Sequence, residues 1–311
     1  MFKIEPKFSE KIWGGSKLKQ FGFDIPSDKT GEAWIISAYK DNSSILDNGI
    51  ELREFYQKNK KLFNNYPSEE FPLLAKILDA NDNLSIQVHP NDENAQKLEN
   101  YPFGKTECWY VLDAQKDTKI IIGTNAKNKK QALEMIQNKD WNNFLKTTSI
   151  KKDDLFDIKA GTVHAILKDT VVYELQQSSD ITYRLYDFDR VDDNGNKREL
   201  HIEKSLDVID YNLNPKKIKR TLIEESENFE RYSLIKNEIF TLEKWIINNK
   251  KTLSFEKNKK NFLLITVIKG NVIINNKKLE SYESGIITSN ELKKINLIGD
   301  CELLVGNPKQ R

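Results

Sequence analysis

The feature that most restricts the fold of this chain is a succession of short runs, β-branched or aromatic, among which Gly, Asp and Asn are interspersed as punctuation. They are AWIISAY (33–39), NLSIQVH (83–89), CWYVLDA (108–114), KIIIG (119–123), TVVYELQQ (170–177) and ITYRLYDF (181–188). Runs of this length, rich in β-branched and aromatic residues, read as strands. Many short strands with turns between them build sandwiches and barrels. Helical periodicity is confined to three places. Leu52, Phe55, Tyr56, Leu62 and Phe63 share a stripe in ELREFYQKNKKLF. Leu133, Ile136, Phe144 and Leu145 mark a helix or a pair of helices in QALEMIQNKDWNNFLK, and Ile202, Leu206 and Ile209 mark one in LHIEKSLDVID. The expected architecture is mainly β, with a few short peripheral helices.

At 311 residues the chain has room for two domains, at about 150 residues each. A boundary is expected near YNLNPKKIKR (211–220), where a proline and a basic run follow a helical stretch. Beyond it lie LEKWII, KTLSFEK, NFLLITVIKG, NVIINNKK, SGIITS and CELLVG, spaced as in an all-β unit. The expected division is 1–213 and 214–311. No histidine follows His201, so only the first unit can house an imidazole-ligated metal. The 49 basic and 47 acidic residues give no reason to expect nucleic acid or an anionic membrane as partner. Cys108 and Cys301 stand far apart and suit a reducing compartment. The segment MFKIEPKFSEKIWGG has no apolar core of a signal peptide. A cytoplasmic protein is the expectation.

Four polar side chains stand out by spacing. Gln87 and His89 are an i, i+2 pair, and with Ser85 they share one face of a strand. In GKTECWYVL, Lys105, Glu107 and Trp109 share a face while Cys108 points away. In KAGTVHAI, His164 follows a glycine turn and opens a strand. Two imidazoles, a carboxylate and an amide oxygen make a plausible shell for one divalent ion. Zinc is the first choice; iron, cobalt and manganese would accept the same donors. Taken singly, each residue has an ordinary structural reading, and four protein donors look closed unless one, the neutral Gln87, can yield. Downstream, Glu174, Asp180, Arg184 and Arg190 fall within one hairpin-like stretch, ordinarily just a charged strand pair. Lys76 interrupts the apolar run FPLLAKILDA, where it either snorkels or holds a buried anion.

These residues carry a resemblance. From KIWGG through TGEAWIISA, FPLLAKILDANDNLSIQVHPND, GKTECWYV, AGTVHAI and LQQSSDITYRLYDFDR to RELHIEKSLDV, the chain resembles the type I mannose-6-phosphate isomerases in their short bacterial form. The resemblance implies two cupin-like jelly-roll β-barrel domains and reversible conversion of mannose 6-phosphate to fructose 6-phosphate. It implies one Zn2+ per chain, on Gln87, His89, Glu107 and His164. It also implies that Arg184 lies in the active site with Glu174, and that Lys105, Lys76 and Ser85 line the substrate pocket. Arg190 stands where longer members carry Lys. One departure is Lys159, where most members have proline, which would loosen the turn before His164.

Aldose–ketose isomerisation moves a proton between C1 and C2 through an enediolate. It needs ring opening, removal of a weakly acidic C–H proton and stabilisation of an oxyanion. Glu174 and Lys105 are the candidates for proton transfer. Glu174 is favoured as the base, although Arg184 would lower its pKa, and Lys105 as the ring-opening acid/base. Lys76, Ser85, Arg184 and Arg190 are the donors available to the 6-phosphate. Two other readings stay open: another metal-cupin sugar-phosphate isomerase, and a non-enzymatic sugar-phosphate-binding cupin.

Overall fold

The computed structural model describes residues 1–256 and 260–309. Its strands form four sheets among the described residues, with antiparallel neighbours. A six-stranded sheet runs in the order Leu155–Ile158, Glu107–Ala114, Thr170–Gln177, Leu73–Ala80, Thr30–Ile36, Lys7–Gly15. Against it lies a five-stranded sheet: Tyr183–Tyr186, Ile86–Val88, His164–Ile166, Lys119–Thr124, Leu145–Ser149. Leu78, Trp109, Phe156 and Val172 of the first meet Ile120, Ile122 and Ile166 of the second.

A second sandwich is built from an eight-stranded and a four-stranded sheet. Trp245, Ile265, Leu303 and Val305 pack there on Val272, Ile274, Ile295 and Leu297. The two sandwiches join back to back. Ile77, Tyr110, Tyr173 and Leu175 bury against Leu234, Leu242, Leu264 and Leu304. The fold is therefore mainly β, two cupin-like jelly rolls. Three short helices, Lys129–Gln137, Trp141–Phe144 and Ile202–Val208, cover the outer face of the five-stranded sheet through Ala132, Ile136, Phe144 and Leu206.

This layering explains the sequence pattern. A strand with solvent on one face alternates apolar and polar residues, whereas one covered on both faces reads as a continuous buried run. Leu73–Ala80 and Thr170–Gln177 are buried at every position. Their odd-numbered residues face the second sandwich, and their even-numbered residues face the interior of the first. On these strands Lys76 and Glu174 therefore point into a barrel.

Several expectations are corrected. The stretch from Glu174 to Arg190 is not a hairpin: Thr170–Gln177 lies in the six-stranded sheet and Tyr183–Tyr186 crosses to the other. NLSIQVH contributes only Ile86–Val88 as strand, because Pro90 ends it and Asn91 caps helix Asp92–Glu99 by accepting from the Asn94 amide at 2.8 Å. The stripe in ELREFYQKNKKLF divides into an α-helix, Leu52–Lys58, and a 3-10 turn, Lys60–Phe63. Within KTLSFEK the strand is Lys250–Leu253, and the run's last residue, 257, lies outside the described residues. Strand Phe2–Glu5, unremarked in the sequence, pairs with Ser284–Ile287 in the eight-stranded sheet.

Candidate active site and metal centre

Two register rows face each other inside the first barrel. On the six-stranded sheet Trp34, Lys76, Glu174 and Trp109 are successive cross-strand partners. On the five-stranded sheet Arg184, Gln87 and His164 are. Cross-strand partners project to the same side of a sheet, so both rows point into the space between the layers.

Two glycines let the donor segments approach. A Cβ on Gly104 would lie 2.4 Å from Pro90 O. Its absence lets the Lys105 amide reach that carbonyl at 2.9 Å, bringing GKTE against HPND. Gly161 has φ +87°, a conformation that disfavours side chains. Its amide donates to His89 O at 2.9 Å, and Thr162 N closes the turn on Lys159 O at 3.0 Å. The turn is thus closed with Lys159 in place of proline.

His89, Glu107 and His164 are buried, and their ligand atoms all lie within 4.8 Å of one another. His89 Nδ1 pairs with Ile181 O at 2.8 Å and His164 Nδ1 with Thr162 O at 2.9 Å. A carbonyl only accepts, so each Nδ1 carries the hydrogen and each Nε2 presents a lone pair. Burial, then the Lys105 charge and His164, hold His89 well below the usual imidazole pKa. Burial lowers His164 to about 4, against the pull of Thr162 O. Both rings are neutral at pH 7. Glu107 Oε1 is buried without a hydrogen-bond partner, 3.5 Å from His164 Nε2. Glu107 Oε2 is 3.6 Å from His89 Nε2. Neutral imidazoles around a carboxylate with an orphaned oxygen fit a divalent cation in donor type and spacing. Gln87 Nε2 lies 3.3 Å from His164 Nε2, and a half-turn of the amide would bring its oxygen there instead.

Lys105 adjoins this group. Its Nζ donates to Glu107 Oε2 at 2.6 Å, lies 3.2 Å from His89 Nε2 and is 3.8 Å from Glu174 Oε1. Burial disfavours its charge, but Glu107 and Glu174 outweigh that and raise its pKa. Glu174 is fixed from the other side by Trp109 Nε1, 3.0 Å from Oε2. Burial and the Glu107 charge push Glu174 up to about 7, while Lys105 and Lys76 pull against them. The lysines, rather than Arg184, are thus the strongest charges opposing the shift.

These side chains open into a cleft of about 280 Å3 that Ser85, Gln87, Lys105, Trp109, Glu174 and Arg184 all border. Ser85 Oγ lies 3.5 Å from Gln87 Oε1. Lys76, also on the cleft, does not snorkel. It is 2% exposed, 3.3 Å from Asp180 Oδ1, 3.6 Å from Glu32 Oε2 and 4.1 Å from the centre of the Trp34 ring. Burial disfavours the Glu32 carboxylate, yet Lys76 and Lys11 hold its pKa at about 2. Burying ions costs several kcal/mol each, so this concentration of charge singles the cleft out as the candidate site.

Arg190 does not border the cleft. Its guanidinium is taken by Asp187 at 2.6 Å, Asp82 at 3.3 Å and the Asn83 carbonyl. Lys11, Trp13, Glu32, Thr182 and Arg198 do border it and were not singled out in the sequence. The one available signal was Glu32 inside the apolar run GEAWII; nothing in the spacing pointed to Arg198.

The fold and this buried donor group define a cupin barrel able to hold a metal ion. A family model described as "Phosphomannose isomerase type I, catalytic domain" matches residues 1–118. Mannose-6-phosphate isomerase ManA of Bacillus subtilis is 44% identical over 271 residues, 86% of this chain and 85% of that protein. The mannose-6-phosphate isomerase of Streptococcus mutans is 40% identical over 317 residues, 99% of this chain and 98% of that one. A crystal structure of the Bacillus subtilis mannose 6-phosphate isomerase matches with a TM-score of 0.91 at 35% identity, over 98% of each chain. The chain belongs to the type I mannose-6-phosphate isomerases and is an enzyme of the isomerase class. Among the described residues no helix is long and apolar enough to cross a membrane.

Proposed function

We propose that this chain interconverts D-mannose 6-phosphate and D-fructose 6-phosphate through an enediolate, with one zinc ion held by His89, Glu107 and His164 and by Gln87 as the weak, neutral fourth donor. The observation that carries the metal reading is the orphaned Glu107 Oε1 beside two lone-pair-bearing Nε2 atoms. When bound, the ion supplies Lewis acidity toward the C1 and C2 oxygens.

The remaining chemistry belongs to the side chains. Glu174, with a pKa near 7, is ionised enough at neutral pH to take the C2 proton and basic enough to hold it. The C–H electron pair becomes the C1–C2 double bond, negative charge passes to the carbonyl oxygen, and the same carboxyl returns the proton to C1. Lys105, cationic and one contact from Glu174, opens the ring and carries protons between the oxygens. Arg184 places a second cation against the developing charge, and Lys76 and Ser85 offer donors along the cleft. Residues 1–213 carry the catalytic cupin with all four proposed metal donors, and 214–311 form most of the second cupin, whose eight-stranded sheet also takes Phe2–Glu5 and Ile45–Leu46. The protein acts as a cytoplasmic monomer or homodimer.

The test is a coupled assay for fructose 6-phosphate from mannose 6-phosphate on intact, chelator-treated and zinc-restored protein. Chelation and His89→Ala should abolish turnover together with metal content. Arg184→Ala should lower turnover with the metal retained. Wild-type turnover that survives complete removal of metal would overturn the mechanism.

A further inference from the structure

The cleft carries a second guanidinium that neither the motifs nor the family resemblance assigns. Arg198 borders it together with Arg184. The two residues meet because the chain after strand Tyr183–Tyr186 folds back along it. His201 N donates to Arg184 O at 2.7 Å, and Arg184 N donates to His201 Nδ1 at 3.2 Å. Arg184 Nη1 donates to Glu199 O at 2.8 Å.

The charges are unevenly satisfied. Asp187, 4% exposed, accepts from Arg198 Nε at 2.7 Å and also from Arg198 Nη2 and Arg190 Nη2, so one carboxylate serves two guanidiniums. Arg184 donates to a neutral carbonyl, and its Nε is buried without a partner. Asp180, on the same cleft, is engaged by Lys76 at 3.3 Å. Burial, followed by the Arg198 charge, lowers the pKa of Arg184. Two guanidiniums held together in a half-buried cleft repel each other, and an anion with several acceptor oxygens resolves that repulsion.

Position agrees with charge. His164, Gln87 and Arg184 are partners on three successive strands, Arg184 on the sheet's edge. At about 4.8 Å per strand, Arg184 stands roughly 10 Å from the His164 backbone, with Arg198 in the segment beyond the edge strand. An extended sugar phosphate with its carbonyl end at the donor group would carry its phosphate to this edge.

We propose that Arg198 is a phosphate-binding residue of this cleft, acting with Arg184 on the phosphomonoester end of the substrate, while Arg190 stands behind it as a brace on Asp187. The inference rests on the isomerase reading for its substrate, but its probe is inorganic phosphate.

Phosphate binding is measured by titration calorimetry on the metal-loaded full chain, for wild type, Arg198→Ala, Arg198→Lys and Arg190→Ala. Arg198→Ala should weaken phosphate about 10–100-fold, as loss of a charged hydrogen-bonding group does. It should raise KM for mannose 6-phosphate by a similar factor with metal content unchanged. Arg198→Lys, which keeps the charge without the fork and guards against a misfolded alanine variant, should fall between. Arg190→Ala removes the other partner of Asp187 and should change phosphate affinity less than about threefold. Equal losses in Arg198→Ala and Arg190→Ala would mean that both act only through Asp187, and would overturn the proposal. So would unchanged affinity in Arg198→Ala, or a wild-type protein that binds no phosphate. If wild type turns over no mannose 6-phosphate while Arg198→Ala still loses phosphate, the isomerase reading fails and this inference stands.

Discussion

Trp109 and Glu174 face each other across adjacent strands, and the indole Nε1 donates to Glu174 Oε2 at 3.0 Å. The other carboxylate oxygen is left 3.8 Å from the Lys105 ammonium. One side chain thus decides which oxygen meets the cleft. Trp109→Phe keeps an aromatic ring but releases the carboxylate to rotate. Misorientation of a reacting group is costly, so kcat should fall roughly 10-fold, with KM and metal content little changed. Steady-state kinetics with metal analysis will check this, and unchanged kcat would remove Trp109 from the machinery.

A base must be ionised to act. With Glu174 at about 7, kcat/KM should rise with pH through neutrality as the carboxyl loses its proton. Glu174→Gln cannot accept the proton and should lose about 10²–10⁴ in kcat, with the acidic limb of the profile gone. An acidic limb that persists in Glu174→Gln would assign the titration to another group.

The turn that presents His164 depends on Gly161. A Cβ there would stand 3.0 Å from Asp210 Cβ and 3.1 Å from Val208 O, at φ +87°. Gly161→Ala should cost about 1–3 kcal/mol of stability. It should also weaken metal retention, because the Gly161 amide ties the turn to His89 O. Melting and metal content after dialysis are the measurements; full retention of metal would separate the turn from the centre.

In the second sandwich Glu243 accepts from Arg231 Nε and Nη2, both at 2.8 Å, from Lys260 at 3.1 Å and from Trp245 Nε1 at 2.8 Å. Burial opposes its charge, but these donors hold the pKa at about 2. A depressed carboxylate stabilises the fold above its unfolded pKa, about 4.3, and that contribution is lost as pH falls through the folded value. The stability of wild type relative to Glu243→Gln should therefore be greater near pH 7 than near pH 2 by on the order of 3 kcal/mol. The difference should shrink between about pH 4.3 and 2. Denaturant unfolding at several pH values tests it, and a pH-independent difference would contradict the assignment.

Much of the candidate site was legible because its donors sit in short, local patterns. Gln87 and His89 share a face by alternation, Gly161 announces a turn before His164, and Lys76 is a charge inside an apolar run. What was not legible depends on which sheet a strand joins. Nothing local says that Thr170–Gln177 and Tyr183–Tyr186 part company, so Glu174 and Arg184 read as neighbours on one hairpin rather than residues on opposed layers. The placement of Arg190 and Arg198 was equally hidden: both lie in a polar loop and both bond Asp187, yet Arg198 borders the cleft and Arg190 does not. The pairing of Glu32 with Trp34 Nε1 at 2.7 Å recurs as Glu243 with Trp245. A Glu-x-Trp spacing inside an apolar strand was the readable sign of buried charge in both halves.

Strand Phe2–Glu5 pairs on one side with the nearby Ile45–Leu46 and on the other with Ser284–Ile287. On a ribosome adding about 5–20 residues per second, the second side of this strand would wait roughly 15 to 60 s for the segment that pairs with it. Until then Phe2–Glu5 and Ile45–Leu46 form a ribbon whose Phe2–Glu5 edge is unpaired, so the seam between the two sandwiches is among the last parts of the molecule to close.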